Sequence, residues 1–304
     1  TGESIEEIDE ALAELREVTD RPVVAVLYTH FHYVGGTATI TGSDPTTPVV
    51  GHERIEHNRR RAAAELGPTF GRGAMEQFGM LLPHEGPDGI VNVGLGRFFH
   101  NTDHAPFTKG HVPASVTVSG PTDLTLAGTT VHVHPAPSDA DDSVTYWFPD
   151  LGVAVHNLVW PALFNVFAIR GEEYRDPRVL LTGFDHLLSL GADHLVGTHG
   201  PPISGADEIR TRVTRARDAI QFLWDQAVRL TNEGRTSTEI AHRVRLPEQC
   251  DDDYLTSELY GVAEHHVRQI RSGLFGFFDG DPANLFPLEP TDEARRVVDG
   301  FGGA

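Results

Sequence analysis

Apolar residues at Ile5, Ile8, Leu12 and Leu15 recur at helical spacing, and Ser4-Ile-Glu-Glu7 has the form of a capping box. The chain therefore predicts an opening helix with one buried face. Val23 to Leu27 then predicts a buried strand, which ends in Thr29-His-Phe-His32 and the glycine turn Gly35-Gly36. Pro48 to Gly51 is a short apolar run ahead of a basic helix predicted from Arg54 to Glu65. From Gly86 to Val118 the pattern breaks down into a glycine-, histidine- and phenylalanine-rich stretch that reads as a long loop.

Alternation returns at Asp123 to Leu126 and at Thr130-Val-His-Val-His134. It continues in Val144-Thr-Tyr-Trp-Phe148 and, after a Pro-Asp turn, in Val153-Ala-Val155. These predict short paired strands. A helix is predicted over Pro177 to Leu190, then a strand Ala192 to Val196 that delivers Gly197-Thr-His-Gly200. The order predicts an α/β architecture, two sheets flanked by helices. From Ala206 onward the pattern is helical only. Ile209, Val213, Ile220, Leu223, Ala227 and Leu230 line one face, Gly234 supplies a C-cap, and Thr236-Ser-Thr-Glu239 is a second capping box. A third helix is predicted from Leu255 to Ser272, followed by an exposed aromatic loop, Phe275 to Leu285, suited to an interface. The boundary near Gly205 divides the chain into 1–205 and 206–304.

Composition narrows the chemistry. The formal net charge is −20 and Lys109 is the only lysine, which disfavours nucleic acid or an anionic membrane as partner. The one cysteine, Cys250, removes disulfides and multi-thiolate metal sites. No apolar run is long enough for a membrane span. The chain opens on Thr1-Gly2 without a signal-like segment, so a cytoplasmic location is the expectation.

In an extended backbone, residues i and i+2 share a side, so His30 and His32 converge at a strand end. His199 repeats the arrangement, again after a strand and before a glycine. Asp139 and His156 lie in turns of the central strand pair. Such nitrogens and carboxylate oxygens suit zinc or a related ion. His132 and His134 sit within a strand and read as one face of a sheet. The adjacent pair His265 and His266 diverges on a helix.

Thr29-His-Phe-His32 with Gly35-Gly36, and Gly197-Thr-His-Gly200, resemble the metallo-β-lactamase superfamily. Arg72 to Pro83, Val93-Gly-Leu-Gly-Arg97, Phe164 to Gly171 and Tyr174-Arg-Asp176 are similar to its alkylsulfatase branch. Arg217 to Gln226 and Phe278 to Leu288 resemble that branch's dimerisation domain. The resemblance implies an αββα sandwich followed by an all-α dimerisation domain, a homodimer through the C-terminal helices, and a small anionic organic substrate. It implies metal ligands at His30, His32, His199 and Asp139, with His156 or Asn157 where the family has a second carboxylate. It further implies Arg170, Arg175 and Asn165 as substrate contacts, and Tyr33 and Asp139 as catalytic groups.

The family motif His-x-His-x-Asp-His-x-Gly-Gly is two residues shorter here and lacks its Asp-His pair. One divalent ion is therefore expected rather than two: zinc first, iron or manganese next. The loop with His100, Asp103, His104 and His111 reads as solvent-exposed; the alternative is that it supplies substitute ligands for a second ion. The activity implied is hydrolysis of a sulfate ester by a metal-activated water. The same ligands also suit a hydrolase of another ester or lactone, an iron enzyme with non-hydrolytic chemistry, or a dimeric pseudoenzyme with an eroded site.

Overall fold

The computed structural model describes residues 2–303 except 43, 97–101, 168 and 172. His100 and Arg97 lie outside the described residues. In chain order the elements are α1 (Ile5–Val18), β1 (Val26–Leu27), α2 (Thr37–Thr41), β2 (Val49–His52), α3 (Ile55–Arg61) and α4 (Gly67–Gln77). Then come β3 (Val116–Val118), β4 (Thr122–Leu126), β5 (Thr129–Pro135), β6 (Val144–Phe148), β7 (Val153–His156), α5 (Pro177–Ser189), β8 (His194–Gly197) and β9 (Ile203–Ser204). The last helices are α6 (Ala206–Asn232), α7 (Ser237–Arg243), α8 (Ala263–Phe275) and α9 (Pro290–Gly300). No helix among the described residues is long and apolar enough to cross a membrane.

Two sheets face each other. One has the order β1-β2-β3, all parallel; the other runs β4-β5-β6-β7-β8-β9, antiparallel except for the β7–β8 pair. Val50 and Val118 of the first sheet pack against Val131, Val133, Val144 and Tyr146 of the second, burying the inner layer. Val26, Tyr28, Val49 and Ile55 form the core on the outer side of the smaller sheet. On the far side of the larger sheet, Ala154 and Leu195 join one continuous core with α5, α6, α7 and α8. This is the expected αββα arrangement with helices to follow.

The C-terminal helices carry the caps that the sequence encodes. Thr236 and Glu239 form both halves of the capping box at α7. Beyond α6, Gly234 adopts φ +77°, which lets its amide and that of Arg235 satisfy the Thr231 and Leu230 carbonyls. Three expectations are corrected. The first strand is only Val26–Leu27, because pairing to β2 begins there. The helix expected from Leu255 starts at Ala263, because residues 257 and 261 bond to both backbone groups of Leu163 and Asp253 caps a tight turn at Leu255. The apolar stripe of α1 is only half-covered, and Leu15 is exposed. The C-terminal helix α9 has no counterpart in the hydrophobic pattern; none of its residues is buried.

Candidate metal centre and active site

Three segments meet where the two sheets open. The loop after β1 brings His30 and His32, the turn between β5 and β6 brings Asp139, and the end of β8 brings His199. Val144 anchors this arrangement by donating its amide to the Thr29 carbonyl (2.9 Å), tying the start of β6 to the histidine loop. Asp139 Oδ2 lies 3.1 Å from His30 Nε2 and 2.7 Å from His32 Nδ1, and the two ring nitrogens are 3.1 Å apart. His30 Nδ1 is occupied by the Thr29 hydroxyl at 3.1 Å, so Nε2 is the nitrogen presented to the centre.

His30 is fully buried, and burial pushes its pKa down to about 4, so the ring is neutral and available as a ligand at neutral pH. Burial raises the Asp139 carboxyl, but Arg175, His32 and His30 outweigh that and hold it well below the usual carboxylate range. Arg175 Nη2 is 2.5 Å from Asp139 Oδ1, and Arg175 Nε donates to the Asp139 carbonyl at 3.1 Å. Arg175 Nη1 also donates to the carbonyl and the side-chain oxygen of Asn165, both at 2.9 Å. The structure thus places Arg175 and Asn165 behind the carboxylate.

His30, His32 and Asp139 have ligand atoms that all lie within 4.8 Å of one another. Two imidazoles, that of His30 neutral, and one ionised carboxylate converge in a largely buried site, a donor set that fits a divalent ion. His199 stands beside this group, close enough for its charge to interact with Asp139 and His32, and burial lowers its pKa as well. The Tyr33 hydroxyl lies 3.4 Å from His199 Nε2. Burial first, then the charges of Asp139 and Glu3, raise the Tyr33 phenol well above its ordinary pKa, so it stays protonated.

His156 is turned away from this group. Its Nδ1 accepts from the amides of Leu158 (3.2 Å) and Val159 (3.3 Å), which fixes the ring under the loop after β7. A Cβ at Gly197 would stand 2.9 Å from the His199 carbonyl and 3.4 Å from His156 Cε1, so glycine is needed where the two histidine segments cross. Asn157 donates to Ser143 rather than to the centre. In the loop read as solvent-exposed, His104 pairs with Glu10 and His111 with Glu56. His132 pairs with Asp123, and His134 stacks on His186 with ring centroids 3.7 Å apart. His266 faces inward to the Val262 and Phe164 carbonyls.

Two cavities reach Asp139. The larger, about 510 Å³, is lined by Tyr33, Phe78, Trp160, Arg170, His199 and Tyr260. The smaller, about 220 Å³, is lined by Phe31, His32, Leu66, Tyr174, Arg175 and Leu180. Arg170 is held in the larger one: Nη1 donates to Gln77 Oε1 (3.4 Å) and Tyr260 Oη (3.3 Å), and the guanidinium lies over the Phe70 and Phe78 rings. Sequence reasoning does not single out Tyr260, Trp160 or Gln77. Gln77 sits inside a family-like motif, but Tyr260 comes from the helical segment, more than 200 residues from the histidine loop, and no local pattern announces it.

The family described as Alkyl sulfatase dimerisation matches residues 236–304. The chain is 33% identical over 313 residues to a linear primary-alkylsulfatase from Pseudomonas sp. (strain ATCC 19151), covering 100% of this chain and 58% of that protein. An alkyl/aryl-sulfatase from Saccharomyces cerevisiae is 29% identical, with 95% of this chain and 46% of that one covered. The solved structure of the stereoselective inverting sec-alkylsulfatase Pisa1 from Pseudomonas sp. superposes with a TM-score of 0.91 at 27% identity, covering 100% of this chain and 49% of that one. A metallo-β-lactamase family protein from Thermus thermophilus, at 18% identity and a TM-score of 0.52, shares the fold over 88% of this chain and 80% of its own. The chain spans about half the length of the curated relatives it matches.

Proposed function

Because the chain belongs to the alkylsulfatase branch of the metallo-β-lactamase superfamily, we propose that it is a metal-dependent hydrolase of a sulfate ester. The observation that carries this reading is the convergence of His30, His32 and Asp139 beside a cavity that contains Arg170. His30, His32 and Asp139 would hold one divalent ion, zinc first and iron or manganese next, with His199 facing the same centre. Such an ion supplies Lewis acidity and lowers the pKa of water toward about 7.

The protein's own groups do the rest. Arg170, preset by Gln77, Tyr260 and two aromatic rings, binds the anionic sulfate by a charge-assisted fork. Arg175 and Asn165 serve Asp139 and not the substrate, keeping the carboxylate ionised and correctly turned. Tyr33 keeps its proton and orients His199. Phe78, Trp160 and Tyr260 exclude water around the organic part. Overall one water is consumed and the ester is split to an alcohol and hydrogensulfate, while Asp139, kept ionised by Arg175, serves the reaction as a ligand. Residues 1–205 form the catalytic unit and 206–304 a helical unit that pairs two copies of the chain.

The test combines elemental metal analysis with sulfate release from a short primary alkyl sulfate. One ion per chain is expected, with turnover lost in His30→Ala. Two tightly held ions per chain refute the single-ion site, and a protein with no bound metal and no affinity for zinc or iron refutes the enzyme.

A further inference from the structure

Asp142, in the turn that carries Asp139, is completely buried, and neither of its carboxylate oxygens has a hydrogen-bond partner. Its neighbours are the Phe31 backbone and the Asn58 side chain, and it lies within electrostatic reach of His32. Asn58 spends its amide on Asp141 at 2.6 Å, and Arg54 pairs with that same aspartate at 2.6 Å. Burial pushes this carboxyl up to about 7, so it is held partly protonated unless a positive charge comes close to it.

The ligand group needs the complementary item. The charge of Asp139 is already met by Arg175, and His30 is neutral, so a divalent ion would leave the pocket with uncompensated positive charge. We propose that Asp142 is the charge-balancing residue of this centre, acting through His32 and the Phe31 backbone and touching neither substrate nor reacting atoms. It is a positioning residue, and it explains how a site with a shortened histidine motif retains enough negative charge for a cation. The inference rests on the metal reading above.

The experiment is zinc titration of metal-stripped wild type and Asp142→Asn, by calorimetry or competition with a chromophoric chelator, beside thermal melts of both metal-free proteins. The expected result is a zinc Kd raised about 10- to 100-fold in the variant. The metal-free variant should melt no lower than wild type, because neither carboxylate oxygen makes a hydrogen bond that the amide would lose. A merely structural role would give the reverse: a lowered melt with zinc affinity unchanged. A Kd within about twofold of wild type overturns the proposal. If Asp142→Asn does not fold, a zinc-bound crystal structure of the wild type decides. Asp142 bonded to His32 supports the assignment; a carboxylate that makes no bond to His32 overturns it. Wild type that binds no zinc, iron or manganese would instead refute the metal reading itself.

Discussion

Arg175 and Asp139 form a buried ion pair, Nη2 to Oδ1 at 2.5 Å, while the other carboxylate oxygen faces both His30 and His32. One residue thus links the fold's interior to the ligand group. Its side chain and that of Arg175 are 3% and 4% exposed. Removing the arginine strands a charge in a low-dielectric site. Arg175→Met is expected to cost roughly 3–5 kcal/mol in urea denaturation. Adding Asp139→Asn should recover most of that loss, since no charge is then left unpaired. A single variant as stable as wild type would show that the pair contributes nothing.

His156 predicts the acid side of the stability curve. Burial pushes its pKa from 6.5 down to about 4. Below pH 6.5 the unfolded chain takes up a proton there that the folded chain refuses until about pH 4. Its contribution is therefore intact above pH 6.5 and lost progressively as the pH falls toward 4. At about pH 5 the loss is ~2 kcal/mol, with His30 adding in the same direction. Denaturation midpoints at neutral pH and at about pH 5 measure it. His156→Gln should flatten that slope while lowering stability at neutral pH.

Much of this centre is legible because His30, His32 and His199 obey one local rule: a histidine just past a strand, with glycine close behind. The strands β4 to β7 and the caps of the helical segment are equally readable, being set by alternation and by Thr236, Glu239 and Gly234, whereas β3 lies inside the stretch that reads as a loop. The partners of Asp139 and Arg170 are not. Arg175 stands next to Asp176 in sequence, yet Asp176 pairs with Arg178 and Arg175 reaches back to Asp139. His156 sits at a strand end like the ligand histidines, but two amides of the following turn capture its nitrogen. Such choices depend on which loop lies across the opening, and spacing along the chain does not encode that. The helix Pro290–Gly300 leaves no mark in the apolar pattern because it buries nothing within one chain.

That unburied helix bears on assembly. Phe286 and Phe301 are 91% and 89% exposed, with Val297, Val298 and Leu288 also uncovered. Apolar surface on this scale needs a partner, and a second copy of the chain fits the proposed pairing unit. Wild type is expected to sediment as a dimer at micromolar concentration. Phe286→Asp with Phe301→Asp should shift it to monomer without changing its far-ultraviolet circular dichroism. A wild type that stays monomeric would remove the pairing role.

Arg170 offers the sharpest separation of binding from chemistry. Its guanidinium is locked by Gln77, Tyr260, Phe70 and Phe78, so the planar fork is oriented before any substrate arrives. Lysine keeps the charge but offers a single point of contact and cannot make the same paired bonds to Gln77 and a sulfate. Arg170→Lys should therefore lower kcat/KM about 100-fold, equivalent to ~2.7 kcal/mol, chiefly through KM. The metal content should stay as in wild type, because no ligand atom is touched. If KM for an alkyl sulfate is unchanged, the anion is held by other groups and the larger cavity is not its seat.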